Sequence, residues 1–238
     1  MPKAVPSGEE EYCAGFSTTD LRSDIPLANM GPFTSYYQRP KSTKISRRKI
    51  LYVQSNCNAV FSGRGFVIKK LIERGLVDSF GECNNNIDFT DKFELVTNGR
   101  GENKTALMES YGVVTRGGNK TALIERYAFV AAFENLYYPG YVTEKLWEPL
   151  WYGSLPLYLG APNARSILPE HSFINVDDFT TIDELADYIE YLIQNHTAYD
   201  LYHKWRGTDP PKRLAELWKF THQSFDCRLC RWGAEHLY

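Results

Sequence analysis

The chain has 238 residues, of which 43% are hydrophobic and 14% aromatic, enough to bury the core of one large domain or two small ones. Its 27 basic and 29 acidic residues leave a formal charge of −2, so no global field draws it to nucleic acid or an anionic membrane, and partners must be sought at local sites. No apolar run approaches the ~20 residues that cross a bilayer, and the opening MPKAVPSGEEEYCAG lacks the apolar centre of a signal peptide, so no anchor or address is expected within these residues.

Residues 1–45 are rich in Pro, Ser, Gly and charge and show no sustained periodicity. They read as a linker with a fragment of another unit, running into the solvated basic stretch Lys41, Lys44, Arg47, Arg48 and Lys49. From Lys49 onward the pattern alternates between strand and helix. Ile50–Val53 is a buried strand; Phe66–Glu73 places Phe66, Val67, Leu71 and Ile72 at helical spacing, and Gly75 ends that helix. Leu76–Phe80 is a strand, Thr121–Arg126 a helix and Tyr127–Phe133 a strongly apolar strand. After the Pro139-Gly140 break a helix is expected from Val142 to Trp151, then strands at Leu155–Leu159 and Phe173–Val176. Ile182–Gln194 is an amphipathic helix with Leu185, Ile189 and Leu192 on one face, and Asp177-Asp178 are expected to cap it ahead of Thr180. Strands separated by helices imply an α/β fold with a parallel, doubly wound sheet. One irregularity is a tandem echo, GENKTALMESYGVV at 101–114 and GGNKTALIERYAFV at 117–130, too short for a solenoid and read as an inserted copy.

The five cysteines, Cys13, Cys57, Cys83, Cys227 and Cys230, cannot all pair within one chain. Cys227 and Cys230 have the spacing of a zinc half-site but no second close pair accompanies them, which leaves a disulfide between them or two free thiols. Asn103, Asn119 and Asn195 each begin an Asn-x-Thr acceptor pattern for N-glycosylation.

Ligands of an open parallel sheet bind at the carboxyl ends of its strands, where helix N-termini present unpaired N–H groups. Two crossings qualify. Ser55-Asn56-Cys57 is followed by Arg64, whose guanidinium can grip phosphate oxygens bidentately. The second runs Phe133-Glu134-Asn135, a Tyr138–Tyr141 loop, then Thr143-Glu144-Lys145 at a helix start. A lysine there is misplaced without an anion, because the dipole end is already positive. A diphosphate would supply that anion; Glu144 could accept from ribose hydroxyls, and Tyr141 could donate to a phosphate. No P-loop, G-x-G-x-x-G, H-E-x-x-H or Asp-x-Asp occurs, and the five histidines are scattered, so no metal site is expected.

The segment YAFVAAFENLYYPGYVTEKLWEPLWYGSLPLYLGAPNARSILPEHSFINVDDF, Tyr127–Phe179, closely resembles the signature region of the α1,3-fucosyltransferase family, glycosyltransferase family 10. Weaker similarity reaches upstream to SNCNAVFSGRGFVIKKL and FSTTDLRSDIPL, and downstream ELADYIEYLI and CRLC are similar to plant-type members that fucosylate the N-glycan core. The resemblance implies a two-domain GT-B architecture in which residues 1–45 hold a remnant of the acceptor domain and residues 46–238 form the Rossmann-like domain that binds GDP-fucose. It carries donor contacts onto Arg64, Tyr141, Glu144 and Lys145, with Glu134 and Asn135 lining the same pocket. It implies inverting transfer to a glycan hydroxyl, that of the N-glycan GlcNAc, in an α1,3 linkage. No cofactor is required, and manganese is compatible as an aid. The family's base, a glutamate of the N-terminal domain, matches none of Glu9, Glu10 or Glu11. The family's setting is the lumenal side of the Golgi membrane, held there as a type II protein through a segment these residues do not include. A non-catalytic nucleotide-sugar-binding relative is the alternative, and use of another nucleotide sugar a third.

Overall fold

The computed structural model describes residues 23–26, 46–54, 57, 62–80, 82–87 and 120–236. The first repeat copy, Asn103, Asn119, Cys13 and the Ser55-Asn56 turn fall outside them. In chain order the elements are β1 (Ser46–Tyr52), α1 (Arg64–Glu73), β2 (Val77–Ser79), α2 (Lys120–Ile124), β3 (Tyr127–Phe133), α3 (Glu144–Trp151), β4 (Leu155–Leu159), β5 (Ile174–Asn175), α4 (Ile182–Gln194), α5 (His196–Leu201), α6 (Lys212–Thr221) and α7 (Phe225–His236).

The five strands form one parallel sheet in the order β2-β1-β3-β4-β5. Its centre is β3, YAFVAAF, paired with β4 in unbroken register from Phe129–Leu155 to Phe133–Leu159. A central parallel strand is covered on both faces, which is why β3 and β4 read as nearly continuous apolar runs. Side chains of β3 alternate between the layers. Phe129 and Phe133 pack with Val67, Ile68 and Leu71 of α1 and Leu185, Ile189 and Leu192 of α4. Ala132 joins Leu146, Trp147 and Leu150 of α3, while Val130 joins Leu123 and Ile124 of α2. The chain therefore leaves β1 towards one face and β3 towards the other. The seam between these two strands is a topological switch point, where an open sheet offers a crevice at its carboxyl edge.

The α/β fold with a parallel sheet is as expected, and the bounds of β3, β4 and α4 coincide with those read from the sequence, while the ends of the other expected elements shift by up to four residues, most at β1, which begins at Ser46. Four further details differ. Phe66 is 65% exposed, because α1 begins at Arg64 and turns Val67, Ile68 and Leu71 inward instead. The cap of α4 is Thr181, in a capping box with Glu184, and not the Asp177-Asp178 pair: Asp177 accepts a hydrogen bond from the Tyr137 hydroxyl and Asp178 pairs with Arg165. The stretch after Gln194 folds as three further helices, α5–α7, tied back by the Tyr199 hydroxyl donating to the Ala128 carbonyl and Arg206 donating to the Leu150 carbonyl. Asn195 caps α5 through its Oδ1, while its Nδ2 donates to the Tyr191 hydroxyl at 3.0 Å.

The fourth difference concerns the cysteines. Cys57 and Cys83 are bridged, and Cys227 and Cys230 are free, exposed thiols on α7. The reason is topological. Strands β1 and β2 are parallel neighbours, so the segments leaving their carboxyl ends lie side by side, with the Cys83 N–H donating to the Gln54 carbonyl. Cys227 and Cys230 instead occupy one continuous helix and remain reduced. Closing a loop across 26 residues is worth about 3 kcal/mol. Reduction is expected to lower the unfolding free energy by about that amount in urea titrations, and iodoacetamide without reductant should label Cys227 and Cys230 while sparing Cys57 and Cys83.

Candidate functional site

The residues singled out above meet at the carboxyl end of β3. Arg64 opens α1 behind Gly63, whose φ of 72° places the turn in the left-handed region that favours glycine. The arginine is 3% exposed, and its Nη1 donates to the Phe133 carbonyl at 3.1 Å and to the Asn135 Oδ1 at 2.6 Å. The Ser62 hydroxyl adds a bond to the Glu134 carbonyl at 2.7 Å. The loop after β1 is thus fastened to the end of β3, across the switch point.

Glu134 forms the second fastening. Its side chain is 0% exposed, and its carboxylate accepts from the Thr143 backbone N–H and the Thr143 hydroxyl, each at 2.7 Å. Thr143 is the N-cap of α3, so the carboxylate fixes where that helix starts. Complete burial means that Glu134 positions the site from behind and does not line its surface. Lys145 sits above it, with Nζ 3.0 Å from the Thr143 hydroxyl, 3.2 Å from Glu144 Oε1 and 3.5 Å from Glu134 Oε2. Burial pushes the Glu134 carboxyl above its ordinary range, against the pull of Lys145 and the two Thr143 hydrogen bonds. At Glu144 partial burial is outweighed by Lys145, the helix-start backbone and Lys120, which together hold its carboxylate below the usual range. Burial raises the partly buried Tyr141 phenol, keeping it a neutral donor.

Two residues from the LGAPN stretch complete the frame, and the motif was the only sequence signal for them. Asn163 accepts from the Gly140 N–H at 2.8 Å, holding the turn where Gly140 adopts a φ of 85°. Gly160 lets β4 pass close beneath Glu134: a Cβ there would lie 2.5 Å from the Tyr158 hydroxyl and 2.6 Å from Glu134 Cγ.

All six residues, Arg64, Glu134, Asn135, Tyr141, Glu144 and Lys145, therefore belong to one assembly at the seam between β1 and β3. It presents cations and a capped helix N-terminus, an arrangement that can hold an anion. Among the described residues, no group of three or more His, Cys, Asp or Glu is placed to hold a metal ion, and no helix is long and apolar enough to cross a membrane.

Residues 43–236 match the family model for the C-terminal part of glycosyltransferase family 10 (fucosyltransferase). The chain belongs to this family. Curated relatives include GDP-fucose protein O-fucosyltransferase 3 of Gallus gallus, 37% identical over 70% of this chain and 33% of the relative, and that of Xenopus laevis, 30% identical over 86% and 44%. The chain spans less than half the length of either. Among solved structures, an α1,3-fucosyltransferase aligns at 26% identity with a TM-score of 0.56, over 80% of this chain and 46% of the other. An α1,3-fucosyltransferase with GDP-fucose aligns at 24% identity and a TM-score of 0.55 and shares the fold.

Two outcomes test the frame. Gly160→Ala should cost about 1–3 kcal/mol and displace Glu134, read from urea denaturation. Because the folded state favours neutral Glu134, its contribution to stability is full below the unfolded value of 4.5 and is lost as pH rises through the raised native value. The unfolding free energy of wild type should therefore fall relative to Glu134→Gln as pH rises above 4.5, whereas a constant difference would show a carboxyl titrating identically in both states.

Proposed function

We propose that this chain forms the GDP-fucose-binding part of an inverting fucosyltransferase of GT-B architecture, with residues 46–238 as the donor domain. The observation that carries the reading is the clustering of Arg64, Tyr141, Glu144 and Lys145 around one helix N-terminus at the switch point of a parallel sheet. In this reading Lys145, Arg64 and the first turn of α3 face the diphosphate, and Glu144, held ionised, accepts from the ribose hydroxyls. An acceptor hydroxyl attacks the anomeric carbon of β-linked fucose from the opposite side, and the bond to GDP breaks. The charge that develops on the departing diphosphate meets fixed cations and backbone dipoles, an electrostatic contribution that requires no reorganisation as the bond breaks. The base that takes the acceptor's proton is left unassigned. Manganese, where present, would act on the diphosphate as an accessory to these groups.

For the acceptor, an α1,3 linkage to the N-glycan GlcNAc is supported by the plant-like CRLC ending and by the likeness to α1,3-fucosyltransferases. A hydroxyl on a protein is the second reading, favoured by the higher identity to relatives named protein O-fucosyltransferases. The Cys57–Cys83 bridge supports a lumenal setting in the Golgi, since structural disulfides persist in oxidising compartments.

Calorimetric titration of the chain with GDP-fucose should show saturable binding that Lys145→Ala weakens by about tenfold or more, with GDP-mannose binding less well. Transfer of labelled fucose by these residues alone, to a GlcNAc-terminated N-glycan or to a folded protein acceptor, should be slow or undetectable. Absence of binding to any GDP-sugar would overturn the donor-site reading, and robust transfer would show that the base lies within this chain.

A further inference from the structure

At the mouth of the switch point lies a small cavity of about 40 Å³ whose lining includes Tyr52, Arg64, Lys120, Ile124, Lys145 and Pro149. Among the described residues its charged lining groups are all cations: Arg64 from α1, Lys145 from α3 and Lys120 from α2. Two of these cations have carboxylate partners in the protein, Lys145 in Glu144 and Glu134 and Lys120 in Glu148, but it is the positive groups that line the crevice, an electrostatic surface suited to an anion. Arg64 and Lys145 are absorbed by the donor-site reading, whereas Lys120 has no assigned role.

Lys120 opens α2 and forms an ion pair with Glu148, one helical turn beyond Glu144 on α3. The side chains are 37% and 23% exposed, yet the Glu148 Oε2 that makes the pair is closed to solvent, so releasing Lys120 leaves that oxygen to be satisfied elsewhere and opposes ligand entry. The positive field of Lys120 also reaches Glu144, the residue read as the ribose acceptor, where it is among the groups that favour the ionised carboxylate. Lys120 therefore stands within electrostatic reach of both halves of the site.

We propose that Lys120 is a third cationic contact for the diphosphate of a nucleoside diphosphate, and that it exchanges Glu148 for phosphate oxygens as the ligand enters. The inference rests on the donor-site reading above. It adds that Glu148 competes with the ligand for the lysine, so the two members of one ion pair act on affinity with opposite sign.

The test is calorimetric titration of the full chain with GDP, at low and physiological ionic strength. Lys120→Ala should weaken binding by about tenfold, Lys120→Arg should retain most of the affinity, and Glu148→Gln should tighten binding by about threefold. The Lys120→Ala loss should shrink as salt screens the contact. If Lys120→Ala and Glu148→Gln weaken binding alike, the pair is only a strut between α2 and α3 and the proposal is overturned. Wild-type affinity in Lys120→Ala, with Lys145→Ala still impaired, overturns this inference while leaving the donor site standing. Failure of the wild-type chain to bind GDP overturns both. Should Lys120→Ala unfold early in a thermal scan, Lys120→Gln keeps the side-chain length and poses the same question.

Discussion

The buried carboxylate of Glu134 is the constraint on which the site depends. It occupies the end of the central strand, is removed from water, and is satisfied by the backbone N–H and hydroxyl of Thr143. A buried carboxylate without such partners would be costly, so the strand end and the helix start are held in a single geometry. Arg64 applies the same logic from the other side, closing the Phe133 carbonyl and the Asn135 amide oxygen. Two polar clamps thus meet at the carboxyl end of one strand, and Tyr141, Glu144 and Lys145 follow directly from them.

This division of labour separates supporting from contacting residues. Glu134, Thr143, Asn163 and Gly160 hold the frame, and Lys145, Glu144 and Tyr141 project from it. Precision comes from the supporting layer, because a cation on a flexible stem is only as well placed as the helix that carries it. The helix itself is short and contains Pro149, which removes one backbone donor. Its position depends less on its own hydrogen bonds than on Leu146, Trp147 and Leu150, packed against the sheet, and on the Glu134 clamp.

The sequence displays the parts governed by strong local rules. The run YAFVAAF reads as a strand covered on both faces, and IDELADYIEYLIQ carries a helical period, although its cap is Thr181 and not the expected Asp177-Asp178. The lysine beside the start of α3 is also where the sequence places it, within reach of Glu144 and Glu134. What stayed hidden depends on neighbours distant in the chain. The Cys57–Cys83 bridge follows from β2 lying beside β1, which no local pattern encodes. A glutamate at a strand end reads as a ligand contact until burial shows it turned inward. Helices α6 and α7 bury little beyond Leu214 and Arg228, so their apolar period is too weak to announce them.

The strand order also governs the sequence of assembly. Ile50 of β1 pairs with Phe129 of β3, so the central ladder cannot begin to close until most of the intervening chain has been made. Until then Ile50 and Leu51 have only β2 beside them, reached through α1 by a short connection. Pairings between such distant segments close slowly, because loop entropy must be met before contacts repay it. Cys57 and Cys83 belong to this early, local unit. An oxidising compartment can therefore staple β1 to β2 while β3 is still emerging, and the growing chain presents its core strand already tethered to one neighbour and open to the other.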